Sequence, residues 1–217
     1  MRSARTTRIG VVADSHVGEF MAALPDSVLE ALEGCDLILH AGDLSVPAVL
    51  AELDAIAPVV AVRGDHDRLG GLELPDSLVV AAGGHRIGLI HGHRGHLVDA
   101  SIVVAGLAAG RDVPYRAGMH RALARRLGPV DVIVHGHWHE PVAEWTGGVL
   151  RFSPGAVCPW GSLHGGAPPR DGAAGVVDRA VRRFRRQLGP GAMRPSVGIL
   201  EAGSGGIRPR TVVLGHE

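Results

Sequence analysis

Apolar residues in this chain come in short, nearly unbroken blocks, and most of the blocks stop against aspartate or histidine. Residues 8–13 (Arg-Ile-Gly-Val-Val-Ala) run into Asp14-Ser15-His16, and 37–41 (Leu-Ile-Leu-His-Ala) into Gly42-Asp43. Residues 59–63 (Val-Val-Ala-Val-Arg) run into Gly64-Asp65-His66-Asp67. Blocks this short, without polar alternation, predict strands buried on both faces. Between them the apolar period lengthens. Pro25 and Asp26 open a helix whose stripe is Val28, Leu29 and Leu32 and which ends at Gly34. Ser45 caps a second helix with Pro47 in its first turn, Leu50, Leu53 and Ile56 facing inward, and Pro58 closing it. This βαβαβ alternation predicts an α/β fold with a largely parallel sheet.

Later the pattern changes to hairpins. Ser77–Ala82 and His85–Ile90 flank a two-residue turn at Gly83-Gly84, and the second strand runs into His91-Gly92-His93. Residues 97–127 read as helical in two pieces, broken near 110–114. Val130–Val134 predicts a further buried strand, ending in His135-Gly136-His137-Trp138-His139. A hairpin then turns at Gly147-Gly148 and is followed by Ser153-Pro154-Gly155. An amphipathic helix over 175–188 sits between Gly- and Pro-rich flanks, and Ser196–Glu201 pairs with Ile207–Leu214 across Gly203–Gly206. No internal repeat is present, so the chain reads as one domain, 1–217, with an insertion at about 162–194 carrying the Arg-rich helix.

Composition narrows the function. A chain of 217 residues suits a single sizeable core, and a formal net charge of zero calls for no polyanion partner. After residue 160, nine Arg face four acidic residues. On the 175–188 helix Val177, Val181, Phe184 and Leu188 share one face, while Arg179, Arg182, Arg183 and Arg186 share another. A solvated surface helix is the plain reading, and a surface for phosphate-rich partners the sharper one. The absence of Lys and Asn is accounted for by GC-rich coding. Two cysteines, Cys35 and Cys158, cannot frame a disulfide scaffold in so long a chain, which fits a reducing compartment. The apolar run after the basic start is too short for a signal-peptide core, and no stretch approaches the ~20 apolar residues of a membrane-spanning helix. A cytoplasmic protein without membrane attachment is expected.

Five strand ends therefore carry chemistry: Asp14/His16, Asp43, Asp65/His66/Asp67, His91/His93 and His135/His137/His139. Each alone is as readily a polar turn. Together, at the carboxyl ends of strands in one α/β sheet, they should converge on one crevice. Bare carboxylates beside apolar strands must be solvated, paired or metal-bound. Asp and His without thiolate suit Mn²⁺, Fe or Zn²⁺, and the donors are too many for one ion. Two ions ~3.5–4 Å apart sharing a carboxylate form the clamp used for phosphoryl transfer. Gly64 lets the chain turn and lets another group approach its backbone.

The order Asp-x-His, Gly-Asp, Gly-x-His-Asp, His-Gly and Gly-His-x-His resembles the calcineurin-like metallophosphoesterases. The size, and Ser153-Pro154-Gly155 where that family often has Asn-Pro-Gly, resemble its small bacterial phosphodiesterase branch, which is also related to a retromer scaffold subunit. The resemblance covers roughly residues 8–160 and the closing hairpin at 196–214. It implies a four-layer αββα sandwich binding two divalent transition-metal ions, with Mn²⁺ first and Fe, Zn²⁺ or Ni²⁺ as alternatives. By that resemblance one ion takes Asp14, His16 and His139, the other takes Asp65, His91 and His137, and Asp43 bridges them. A metal-bridging hydroxide would attack phosphorus, with His66 protonating the leaving oxygen and Asp67 orienting His66. The departure is Asp65, where the family usually has Asn. Its charge implies tighter metal binding and repulsion of a dianionic ester, which favours diesters.

The implied substrate is a small phosphate ester; nucleic acid is not required, no membrane is involved, and homo-oligomerisation is left open. A phosphomonoesterase or nucleotidase is the nearest alternative, and a non-catalytic scaffold of the same fold the more distant one. His93 is expected to support the site from behind. His40 and His135 read as core histidines, and Trp138 either lines the pocket mouth or packs beneath it.

Overall fold

A computed structural model describes residues 6–67, 73–95, 98, 99, 101, 104–106, 114–159, 183, 184 and 186–215. In chain order the elements are β1 (Thr7–Val12), α1 (Asp26–Leu32), β2 (Leu37–His40), α2 (Ala48–Asp54), β3 (Val59–Ala61), β4 (Ser77–Ala82) and β5 (His85–Ile90). Then follow α3 (Met119–Leu127), β6 (Val132–Val134), β7 (Pro141–Thr146), β8 (Val149–Pro154), β9 (Ser196–Gly203) and β10 (Gly206–Val213). The strands form two five-stranded sheets, ordered β10-β9-β1-β2-β3 and β4-β5-β6-β8-β7.

Three apolar layers hold them. The helices α1 and α2 lay Val28, Leu32, Val49 and Leu53 on Val12, Ile38, Val197 and Ile199 of the first sheet. Ile9, Val11, Leu39 and Leu200 meet Ile87, Leu89, Val132, Val134, Leu150 and Phe152 between the sheets. On the far side Met119, Leu123 and Leu127 of α3, with Phe184 and Leu188, cover Ile90 and Ile133. The result is the four-layer αββα order. It explains the unalternating blocks: β1 sends Ile9 and Val11 to one layer and Val12 to the next, so both faces need apolar residues. Each large side chain buried this way contributes about 1.5–3 kcal/mol.

Register sets the strand ends level. Val12 pairs with His40 and His40 with Ala61, so the loops after β1, β2 and β3 leave one edge together. In the second sheet Leu89 pairs with Val134 and Val134 with Phe152, which does the same for the loops after β5, β6 and β8.

The hairpins lie where the sequence predicts them. Gly83 and Gly84, and Gly147 and Gly148, all have positive φ (58°, 82°, 58° and 83°), the backbone a tight two-residue turn requires. Two expectations change, and a third falls largely outside the described residues. The first sheet is not the largely parallel one that its βαβαβ start suggests, because β9 returns antiparallel onto β1. Ser45 does not cap α2: the N-cap is Pro47, with no side-chain bond, and the Ser45 amide is instead taken by the Asp67 carboxylate at 2.8 Å. Of the Arg-rich helix, only residues from 183 on are described; Phe184 and Leu188 are buried in the third layer, and Val177, Arg179, Val181 and Arg182 lie outside the described residues. No described helix is long and apolar enough to cross a membrane.

Candidate metal centre

The level strand ends of both sheets interlock through their backbones. The amide of Asp14 bonds the Gly42 carbonyl at 3.0 Å and that of His16 the Asp43 carbonyl at 2.9 Å. From the second sheet the His137 amide donates to both Asp14 carboxylate oxygens at 3.0 and 3.1 Å, and Gly136 N–H to the His91 carbonyl at 2.9 Å. Among the described residues, six besides glycine have positive φ: Asp14, His16, Asp43, Ser45, His137 and His139. Asp and His tolerate this conformation better than most residues, yet each instance costs about 1–3 kcal/mol. Such strain gathers where surrounding structure enforces it, and five of these six are ligand candidates.

Two glycines make the approach possible. A Cβ on Gly64 would lie 2.1 Å from Asp43 Oδ1, and one on Gly136 would lie 2.6 Å from Asp14 Oδ2. The glycine in the Gly64-Asp65-His66-Asp67 stretch is thus the space that Asp43 occupies.

All seven predicted ligands come together. Asp14, His16 and His139 bring ligand atoms within 4.8 Å of one another, and so do Asp65, His91 and His137. Asp43 Oδ2 stands between the two groups, 3.7 Å from His16 Nε2 and 3.3 Å from His91 Nε2. His137 Nδ1 is 3.2 Å from Asp65 Oδ2, and His93 Nδ1 is 3.2 Å from Asp65 Oδ1, behind the second group.

The donors suit divalent cations. His91 donates from Nδ1 to the Ala41 carbonyl at 2.8 Å, the backing usual for a metal-binding imidazole. Its buried Nε2 makes no hydrogen bond, and neither do the two ring nitrogens of buried His16. Burial raises the Asp14 carboxyl well above its ordinary range, and the charges of Asp43 and Asp65 add to this against His91 and the His137 amide. Burial also pushes Asp43 up, but His91, the His66 amide and His16 outweigh it and hold that carboxyl well below its usual range. Burial would lower His91, but Asp43, Asp14 and Asp65 push it up to about 10. The carboxylates around His91 thus favour positive charge there, which a cation taking the place of the His91 proton would supply. His16, His137 and His139 are pushed down, chiefly by burial, which keeps their lone pairs available.

His66 lies alongside, its ring edge-on to His16 with centroids 4.7 Å apart. Its expected partner is corrected. Asp67 is fully buried and accepts backbone N–H groups of Gly64 (2.7 Å), Asp43 (3.0 Å) and Ser45 (2.8 Å), so it ties two loops together and does not orient His66. The carboxylate facing His66 Nδ1 is Glu19, at 2.7 and 2.9 Å. Sequence reasoning passed over Glu19, whose one signal is its place three residues after His16. It also passed over Asp99, held by Arg94 at 2.7 Å and lying 3.7 Å from His137 Nε2. His40 is a core histidine: Nδ1 accepts Gly42 N–H at 3.2 Å, Nε2 meets Ser15 Oγ at 3.3 Å, and burial pushes it down to about 3. His135 is buried and shifted alike, again chiefly by burial. Trp138 packs beneath the site, with Phe184 edge-on at 5.7 Å.

Residues 7–168 match the model of the calcineurin-like phosphoesterase superfamily domain. A probable metallophosphoesterase of Methanothermobacter thermautotrophicus is 34% identical over 148 residues, covering 68% of this chain and 76% of the relative. One of Methanocaldococcus jannaschii is 32% identical over 165 residues, covering 73% and 74%. Vacuolar Protein Sorting 29 of Cryptosporidium parvum shares the fold at a TM-score of 0.59 and 20% identity, over 97% of this chain and 99% of that one. A novel archaeal phosphodiesterase does so at 0.55 and 21%, over 96% and 100%.

Proposed function

The chain belongs to the calcineurin-like phosphoesterase superfamily, and from that premise we propose that it is a phosphodiesterase working at a centre of two divalent cations, Mn²⁺ foremost. The observation that carries this reading is Asp43, placed between two Asp/His groups with the partly exposed His66 beside them. Asp14, His16 and His139 would hold one ion, Asp65, His91 and His137 the other, and Asp43 both. Bound there, the ions would supply an activated water at neutral pH and neutralise charge developing on the phosphoryl oxygens. His66 donates its proton to the leaving oxygen as the P–O bond breaks. Asp65 adds a negative charge that weighs more against a dianionic monoester than a monoanionic diester. The archaeal phosphodiesterase of the same fold is in keeping with this preference. Phe20, 43% exposed with its ring 6.2 Å from that of His66, offers an apolar wall to the leaving group.

The test is elemental analysis of Mn²⁺-loaded protein together with turnover of bis(4-nitrophenyl) phosphate and 4-nitrophenyl phosphate. Two ions per chain and a higher kcat/KM on the diester are expected. A single ion overturns the dimetal centre, preference for the monoester favours the nucleotidase alternative, and turnover of neither returns the chain to a scaffold role.

A further inference from the structure

The turn after His16 is folded back on that residue. The His16 carbonyl accepts the N–H groups of Glu19, Phe20 and Met21 at 3.2, 3.0 and 3.2 Å, and Gly18 N–H bonds the Met21 carbonyl at 2.7 Å. This fixes where the Glu19 side chain leaves the backbone. Its carboxylate reaches two rings: Oε2 is 2.7 Å from His66 Nδ1 and 3.6 Å from His16 Nδ1, while Oε1 is 2.9 Å from His66 Nδ1. Ser45 Oγ donates to Oε2 at 3.5 Å. His16 turns its other nitrogen, Nε2, toward Asp43 at 3.7 Å.

We propose that Glu19 is a positioning residue serving both histidines: it keeps the Nδ1 proton of His66 on its own side, so that Nε2 is the edge offered to the leaving oxygen, and it holds the His16 ring with Nε2 toward the cation. The His66 half rests on the proton-donor reading given above; the His16 half rests on geometry alone. A carboxylate only accepts, so a ring nitrogen at hydrogen-bond distance from it carries the proton. At His16 the carboxylate stands 3.6 Å from Nδ1, beyond hydrogen-bond reach, so it acts on that ring through its charge, favouring the orientation with Nδ1–H toward Glu19 and Nε2 toward the cation. Asp67 cannot take the role, because three backbone amides already occupy its oxygens. The Glu19 and His66 side chains are 32% and 37% exposed, so their pairing adds little to folding stability. That separates positioning from a structural role.

The experiment compares Glu19→Ala, Glu19→Gln, His66→Ala and the Glu19→Ala/His66→Ala double variant. Two readouts are taken: Mn²⁺ affinity by competition with a chelating indicator, and kcat and KM over diesters of graded leaving-group basicity. In Glu19→Ala, one Mn²⁺ equivalent should bind about tenfold more weakly, in the range for loss of a ligand's supporting partner. Its kcat should fall most for the poorest leaving groups, with KM and thermal midpoint little changed. Glu19→Gln, which keeps a carbonyl acceptor, should recover most of the loss, and Glu19→Ala should cost little more once His66 is gone. Unchanged Mn²⁺ affinity overturns the His16 half. A kcat loss that is uniform across leaving groups, or additive with His66→Ala, overturns the His66 half. A third Mn²⁺ equivalent lost with Glu19 would make Glu19 a ligand and overturn both. If His66→Ala itself shows no leaving-group dependence, the donor reading fails and takes the His66 half with it, while the Mn²⁺ competition still decides the His16 half.

Discussion

The two halves of the centre hold similar donors on different backing. On the Asp65 side the rings are tied to the protein: His91 to the Ala41 carbonyl, His137 and His93 against Asp65, and Asp99 behind His137. On the Asp14 side His16 has no aligned hydrogen bond, and the carboxylate behind it is the part-exposed Glu19, shared with His66. Burial runs the other way among the ligand candidates, since Asp14, His16 and His139 are all buried while Asp65 and His137 are part-exposed, and the exposed group on the Asp14 side is His66. On the proposed function the Asp65 half, with its rings tied, would be preset to hold an ion, while the Asp14 half would also meet the substrate through His66.

The variant that should erase this difference is Asp43→Asn, because Asp43 belongs to both halves. A neutral amide is a poorer bridge between two cations, so metal content should drop at both positions and diester turnover should fall by more than ~10²-fold. Loss of one ion alone, by elemental analysis, would assign Asp43 to a single half. His66→Ala should strike only the Asp14 half. Metal content stays, and turnover falls ~10²–10⁴-fold for poor leaving groups and less for nitrophenolate. An equal loss for both kinds of ester would make His66 a phosphate-positioning group instead.

Asp65→Asn probes the preset half more gently. At an effective dielectric of ~20, a unit charge at ~4 Å is worth on the order of 4 kcal/mol before screening, and nearby cations offset most of it. At saturating Mn²⁺, KM for the monoester should fall several-fold and that for the diester less. An unchanged monoester-to-diester preference would leave Asp65 as a ligand whose charge plays no part in selection.

The smallest effect concerns His40, in the floor beneath both halves. Its folded value of about 3 lies below the ordinary 6.5, so the unfolded chain takes up a proton that the folded one refuses. Its contribution is whole above pH 6.5 and is lost as pH falls toward 3. In metal-stripped protein, His40→Gln should therefore flatten the acid limb of urea-unfolding stability while changing little at pH 8. An unaltered acid limb would show that His40 accepts its proton without unfolding.

The convergence of the seven candidate ligands was legible because each sits just past an apolar strand, and level strand ends turn sequence position into spatial proximity. Gly64 was legible for a related reason, since a charged turn that tight leaves room for no side chain. Asp67 was misread because adjacency in sequence does not say whether a carboxylate faces the neighbouring ring or the backbone amides, and here three amides take it. Glu19 left only the faint signal of its place three residues after His16, because it lies on an irregular turn and its partner His66 is 47 residues away. The return of β9 onto β1 was hidden too, because nothing in the local pattern of β1 announces that its second neighbour is β9.

That neighbour has a consequence for when the centre can form. Gly10 pairs with Ile199 and Ile9 with Leu200, so the strand that carries Asp14 and His16 on its end is closed on one side by residues made long after it. At ~5–20 residues per second, a ribosome needs on the order of ten seconds or more to go from one strand to the other. Through that interval β1 has an unclosed edge, and the Ala13 and Asp14 carbonyls wait for the amides of Val157 and Cys158. Assembly of the candidate centre therefore waits for β9, and until that strand is made Asp14 and His16 stand without the full frame that positions them.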